Sequence, residues 1–452
     1  MNLSNIEEKT RHTGTKASIF SLQNIKKNRF VRNVIIVATG SAGAQAISLA
    51  FSPVITRIYG PEAFGVLGTF MALISVIATI AALSFPIAIV IPQSDHEAKR
   101  IVKLSAYTSF LVVCIVTLTL LTFGNTIISA FGIQEIKPFV MLIPLVVIFS
   151  AWQEIVGQWL VRKKLFVLSA RVAVIQSLLV NSAKVAVGIF KPISAALIFI
   201  TTIGIATNAA FLTGGSIKGK FKPKKQTQQP QLSLWALAKK YYDFPLYRST
   251  QTFIHSISQS LPVFMLASYV GTSYAGFYIL CMKLLSMPMV LIGASVGDVF
   301  YPHISEAAHR GEDLCRPILK TTAALAAIGI IPFLLIIIFG PWLFGVIFGS
   351  QWQHAGKYAS WLAVWIFVTF ISQPSIKVLP VISAQGFHLI FTIYSIGITM
   401  AVITIGFSLF KSDLVTIALL GISGAVNNGI LIAIVLYKTC KADKNRSVHP
   451  NQ

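Results

Sequence analysis

"TRIYGPEAFGVLG", residues 56–68, separates two apolar stretches, "VIIVATGSAGAQAISLAFSPVI" (34–55) and "TFMALISVIATIAALSFPIAIVI" (69–91), and neither flank carries a charge. Each flank reaches the roughly 20 residues that a helix needs to cross a hydrocarbon core about 30 Å thick. The junction has the chemistry that ends one helix and starts another. Gly60 stops the first, Pro61 suits the first turn of the second, and Glu62 complements the positive end of its dipole. The stretch therefore reads as a tight turn between two membrane helices. Arg57, at the end of the first helix, has two readings: an anchor snorkelling to the headgroups, or a contact facing a cavity mouth.

The same pattern fills the chain. Its 452 residues are 55% hydrophobic and 11% charged, with a mean hydropathy of +0.75, whereas soluble domains average about 25% charged. Breaks at glycine, proline and charge clusters give twelve spans near 34–57, 64–92, 102–123, 138–160, 166–190, 193–214, 246–270, 274–301, 317–339, 356–383, 387–410 and 413–437. The segment "GPWLFGVIFG" (340–349) is too short to cross and is expected to cap the ninth span. Barrel strands would alternate polar and apolar over about 10 residues; these runs are apolar all round. The expected fold is an all-α polytopic membrane protein, because a lipid-exposed helix satisfies its own backbone.

Charge placement sets the expected orientation. Of 37 lysines and arginines, 29 fall in the two tails and the loops at 92–103, 161–171, 215–248 and 302–320. Arg57, Lys137, Lys191, Lys357 and Lys411 fall on the other side, and Lys184, Lys283 and Lys377 lie within spans. Basic loops stay cytoplasmic, so both termini are expected there. This placement explains the net charge of +23 by topology and anionic lipid, with no nucleic-acid partner. The first 30 residues are polar and basic and predict no cleaved signal peptide. Within them "IFSLQNIKKNRF" (19–30) reads equally as a surface helix or a basic tail.

Catalytic and nucleotide motifs fail on inspection. "GGSIKGKF" (214–221) has the glycine and lysine spacing of a phosphate-binding loop, but Phe221 stands where the magnesium-binding hydroxyl belongs. No H-E-x-x-H occurs, the 14 acidic residues lie mostly in loops and tails, and the four cysteines imply neither a metal site nor a disulfide framework. No enzyme activity is expected, and no metal or cofactor.

Residues 215–245, rich in Lys, Gln and Pro, form the expected midpoint linker. This divides the chain into a basic tail (1–32), a six-helix lobe (33–214), the linker, a second six-helix lobe (246–438) and a tail (439–452). Pro53-Val54, Gly60 and Gly65 align in order with Pro262-Val263, Gly271 and Gly276, and "FGIQ" at 131 echoes "FGSQ" at 348. Because six spans is an even number, the repeat is expected to be parallel, with a substrate path between the lobes.

Five segments carry a wider resemblance: "SPVITRIYGPEAFGVLG" (52–68), "AIVIPQSDHEAKRIVKLS" (88–105), "AWQEIVGQWLVRKKLF" (151–166), "FPLYRSTQTFIHSISQSLPVFMLASYVG" (244–271) and "SVGDVFYPHISEA" (295–307). In this order, over residues 33 to 438, they resemble the oligosaccharide flippase (polysaccharide biosynthesis protein) family. These are Wzx-type carriers of the multidrug/oligosaccharidyl-lipid/polysaccharide exporter superfamily. The resemblance implies a two-lobed twelve-helix carrier in the bacterial inner membrane. It would move undecaprenyl-pyrophosphate-linked glycan to the periplasmic leaflet for O-antigen, capsule or exopolysaccharide assembly. It also implies alternating access driven by a proton or sodium gradient, and a polysaccharide polymerase and chain-length machinery as partners.

A pyrophosphate crossing low dielectric calls for fixed positive charge, and ionisable groups inside spans are costly enough to mark a path or a pair. The candidate cations are Lys184, Lys283, Arg57, Lys377, Arg171 and Arg248, with positive-inside anchoring the other reading for Arg171 and Arg248. Glu154 and Asp298 are the candidates for ion coupling, or else salt-bridge partners of those lysines. Trp152, Trp159, Trp361 and Trp365 suit sugar stacking or helix packing, and Gln45, Asn181, Gln251 and Asn427 suit sugar contacts. Three alternatives differ in specific features. A drug antiporter would want acids in the early spans, a lipid II flippase would carry two more C-terminal helices, and a membrane glycosyltransferase would need large outer loops.

Overall fold

The computed structural model describes residues 29–218, 233–289 and 300–448, apart from 302, 309, 311 and 383. Asp298, residues 1–28 of the basic tail and the lysine-rich stretch 219–232 lie outside the described residues. No strand occurs among the described residues. In chain order the helices are α1 (Arg29–Ile58), α2 (Pro61–Ala81), α3 (Phe85–Ala88), α4 (Asp95–Ala130), α5 (Ile143–Arg162), α6 (Phe166–Phe190), α7 (Ser194–Lys218) and α8 (Leu234–Lys240). They continue with α9 (Thr250–Tyr269), α10 (Thr272–Leu285), α11 (Cys315–Phe348), α12 (Gln353–Ile371), α13 (Gln373–Val378), α14 (Gln385–Ile405) and α15 (Asp413–Val448).

Nine helices among the described residues are long and apolar enough to cross a membrane. The chain is a multi-pass membrane protein. Helices α1, α9 and α10 fall outside that set: α9 is polar in its first half, "TQTFIHSISQS", and the described part of α10 is 14 residues long. The outward faces remain apolar, as on α4 (Leu111, Ile115, Leu118) and α11 (Ile331, Leu335, Ile338), all exposed. Lipid satisfies those faces, so helix association depends on close packing of small residues and on interhelical hydrogen bonds.

The junction at 59–60 forms the expected turn: α1 ends at Ile58, Gly60 caps α2 in an extended conformation, Pro61 opens it and Glu62 lies in its first turn. "FGIQ" and "FGSQ" adopt matching geometry. Gly132 and Gly349 have φ of +62° and +109°, and each precedes a 3-10 turn, at Gln134–Leu142 and Ser350–Trp352. A left-handed φ is cheap only for glycine.

Two expectations change at the opposite, basic-loop end. Part of the linker is ordered as α8, whose Leu237 is buried beside Phe85, Ile101, Leu104 and Ile155. Amphipathic spacing docks it, although the composition around it is that of a solvated linker. Cys315 and Cys440, read as unpaired, are joined in a disulfide with Cα atoms 5.0 Å apart. The packing of α11 against α15 makes that pairing, across 125 residues. Asp443 Oδ2 accepts from the backbone N–H of Leu314 and of Cys315, both at 2.9 Å. The segment after Gly340 continues α11 through Pro341 to Phe348, and α15 runs on through the expected tail to Val448.

Candidate functional site

Within the first half of the chain α1 lies along α6, and α7 packs on α5 and α6; within the second, α11 packs on α12, and α15 on α12 and α14. The halves meet chiefly where α2 crosses α9 and α10. At that crossing Gly65 and Gly276, paired by the sequence repeat, face each other. A Cβ on Gly65 would lie 1.7 Å from the Thr272 carbonyl oxygen, and one on Gly276 would lie 2.1 Å from that of Pro61. Only backbone without side chains can approach so closely.

Hydrogen bonds close the seam beside this crossing. The Thr56 carbonyl oxygen accepts from Gln351 Nε2 and from the buried Trp352 Nε1, both at 2.9 Å. Arg57 Nη2 donates to the Val346 carbonyl at 2.6 Å. That carbonyl lies in the last turn of α11, where carbonyls lack intrahelical partners and a cation is favoured. Arg57 thus fastens one half to the other, a role neither sequence reading contained. Its partner is backbone from residue 346, which no local pattern reveals. The equivalent contact on the other side of the repeat is apolar. Gly132 abuts Ser268, and Phe131 packs on Phe264 with centroids 5.6 Å apart.

Away from the seam, Lys184 lies on α6 and Lys283 on α10, one on each half of the chain. The buried Tyr59 hydroxyl donates to the Lys184 carbonyl at 3.0 Å, steadying α6 at that point. Lys283 is exposed. No ion pair joins either lysine to a carboxylate among the described residues. Glu154 is likewise reached by solvent and makes no such pair.

A second cationic group lines a cavity of about 600 Å³ within the second half. Arg248, Gln251 and His255 come from α9 and the π-turn before it, Lys377 from the end of α13, and Gln385 and His388 from α14. Arg248 Nη1 donates to Gln251 Oε1 at 3.4 Å. Pro245 opens the π-turn and Pro374 opens α13, so both cations sit where the helices are interrupted. The sequence identified Arg248 and Lys377 separately; the fold brings them together with two histidines.

The remaining candidates lie elsewhere. Arg171 is exposed on the first turns of α6, toward the basic-loop end. Asn181 is buried and donates to Ser48 Oγ at 3.2 Å, tying α6 to α1. Asn427 is buried and donates to Ser395, tying α15 to α14. Trp152 donates to Thr213 Oγ1 at 3.0 Å and with Trp159 lines a small, mostly apolar pocket. Gly424 of α15 packs on the Trp365 ring, while Trp361 and Gln45 are exposed.

Two groups escaped the sequence reading. Asp413 Oδ2 accepts from the Tyr358 hydroxyl at 2.7 Å and lies 2.5 Å from His354 Nε2. At the basic-loop end Glu97 accepts from Lys240 at 2.6 Å and from the Tyr241 hydroxyl at 3.2 Å, holding α8 to α4. That bond to Glu97 raises the Lys240 pKa above the usual lysine value.

Comparison with known proteins agrees with this architecture. Residues 54–357 match the family model described as "Polysaccharide biosynthesis protein". A curated relative, the succinoglycan biosynthesis transport protein ExoT of Rhizobium meliloti (strain 1021), is 22% identical over 345 residues. The match covers 74% of this chain and 65% of that protein, just under two thirds of its length. Among solved structures, an inward-facing multidrug resistance MATE family transporter of the MOP superfamily superposes with a TM-score of 0.71 at 14% identity, covering 91% of this chain and 99% of the other. The lipid II flippase MurJ in an inward closed conformation superposes with a TM-score of 0.64 at 12% identity, covering 92% and 91%. At such identities the likeness establishes the fold.

Proposed function

Because the chain belongs to the polysaccharide biosynthesis protein family, we propose that it is a flippase for undecaprenyl-pyrophosphate-linked oligosaccharide units. It carries them from the cytoplasmic to the periplasmic leaflet of a bacterial inner membrane, for O-antigen, capsule or exopolysaccharide assembly. The helices are read as twelve spans in two six-helix lobes with both termini cytoplasmic. The concentration of lysine and arginine at the basic-loop end supports that orientation.

The observation that carries the reading is the placement of Lys184 and Lys283, one on each half of the chain and neither joined to a carboxylate among the described residues. Unpaired cations inside apolar spans are costly unless they face a path or an anionic partner. A pyrophosphate is such an anion, and the same field repels the cations that a drug antiporter exports. Arg248 and Lys377 line one cavity; in the proposed orientation it opens on the cytoplasmic side, so an entering diphosphate meets them first and the two lysines afterwards. Alternating access then opens the seam and closes the cytoplasmic side, driven by an ion gradient.

Purified protein in proteoliposomes tests this, with leaflet transfer of a labelled undecaprenyl-pyrophosphate oligosaccharide as the readout. Wild type is expected to transfer it. Equally folded Lys184→Ala/Lys283→Ala is expected to lose at least about tenfold in rate, as removal of charge-assisted contacts of about 1.5–3 kcal/mol requires. Transfer unchanged in the variant would move the anion path elsewhere. Proton-coupled export of organic cations without glycan transfer would make the chain a drug antiporter.

A further inference from the structure

We propose that His354, held by Asp413 and Tyr358, is a proton-binding site whose occupancy keeps the outer seam between the lobes closed. The inference rests on the reading above for its orientation and for a carrier driven by an ion gradient; it assigns where the proton binds.

The geometry joins the site to the seam through few atoms. His354 lies in the first turn of α12, two residues beyond Trp352, whose indole N–H is bonded to the Thr56 carbonyl of the opposite lobe. The Phe277 ring touches both, with centroids 5.1 Å from His354 and 5.9 Å from Trp352. Trp352 in turn meets Phe64 of the first lobe edge-on at 5.2 Å. On its other side His354 meets Asp413, at the start of α15. The contact between His354 and Asp413 therefore pins the first turn of α12, and the 3-10 turn that leads directly into it carries the two donors, Gln351 and Trp352, that close the seam.

The surroundings suit a single exchangeable proton. The groups facing His354 are Tyr358 on its own helix, Asp413 on α15 and Tyr274 on α10, with the Cys281 thiol of α10 bonded to the Ala355 carbonyl just below. Asp413 pairs with no lysine or arginine among the described residues. The His354 side chain is 29% exposed and that of Asp413 17%, so protons arrive from the outer solvent while the pair stays largely dry. Protonated His354 against ionised Asp413 adds an ion pair to the hydrogen bond; neutral His354 keeps only the bond to the carboxylate. The closed seam is therefore favoured at low outer pH, where His354 holds its proton, and loosens as pH rises.

Hydrogen exchange of the full-length protein in lipid nanodiscs tests this without any transported substrate. Peptides covering 53–60 and 345–353 are followed at about pH 5.5 and about pH 8, on either side of histidine's ordinary range, with rates corrected for intrinsic chemistry. Exchange at the seam is expected to be several-fold slower at the lower pH in wild type. In His354→Gln the difference should vanish, while Asp413→Asn should move the midpoint to lower pH. A wild-type seam indifferent to pH overturns the proposal, as does a pH response that persists in His354→Gln or a midpoint unmoved in Asp413→Asn. Because no glycan is present, failure of the flippase reading leaves this result standing, and the reverse also holds.

Discussion

Arg57 shows how much one side chain can carry at the end of a helix. Its guanidinium reaches the Val346 carbonyl in the other half of the chain, beside the two bonds made to the Thr56 carbonyl. Removing a hydrogen bond from a charged donor at a solvent-accessible site costs on the order of 1 kcal/mol. Arg57→Ala is therefore expected to shift the closed-to-open balance several-fold toward open. Faster hydrogen exchange in 53–60 with unchanged exchange in α4 would register the shift. Trp352→Phe keeps the aromatic contacts with Phe64 and Phe277 but loses the indole donor, so it should loosen the seam in the same way without unfolding the helix. Arg57 and its terminal position were legible in the sequence. Its partner was not, because residue 346 becomes its neighbour only when the two lobes meet.

Between elements, the crossing of α2 and α10 depends on the absence of side chains at Gly65 and Gly276. A methyl group at Gly65 would occupy the space of the Thr272 carbonyl, so α2 and α10 would have to separate. Gly65→Ala is expected to destabilise the closed seam more than Arg57→Ala, and Gly276→Ala to act likewise; a lowered unfolding temperature with raised exchange at 61–66 would show it. The α8 clasp is weaker. Lys240 is half exposed, and such pairs contribute less than about 1 kcal/mol, so Glu97→Gln should mainly increase proteolysis within α8. Because Glu97 raises the Lys240 pKa, the clasp is fully present below the ordinary lysine value of about 10.4 and lost only as pH climbs past the raised value.

At the scale of the whole molecule, the two halves share a pattern but differ in chemistry where they meet. Gly349 abuts Arg57 in a polar clasp, while its counterpart Gly132 abuts Ser268 beside two phenylalanines. Lys184 lies on one half of the chain and Lys283 on the other, so the proposed anion path needs both. A diphosphate that binds between them should stabilise the fold by linkage. Undecaprenyl pyrophosphate at about a hundredfold its Kd is expected to add about 2.7 kcal/mol, read as a rise in unfolding temperature. The rise should be absent in Lys184→Ala/Lys283→Ala; an equal rise in that variant would place the binding energy outside the lysine pair.

Periodicity and composition were enough to determine helices, turns and membrane residence. A span of some twenty apolar residues has few other stable states in lipid, and Gly60-Pro61 ends a helix by local geometry alone. The cations Lys184, Lys283, Arg248 and Lys377 were visible for the same reason, since charge inside an apolar run is costly wherever the run folds. Which of them share a cavity was decided by tertiary structure. So were the union of Cys315 with Cys440, the docking of α8 and the meeting of His354 with Asp413. Each depends on contacts between residues tens to hundreds of positions apart, and without homologous sequences to compare, one chain carries no local signal of such contacts.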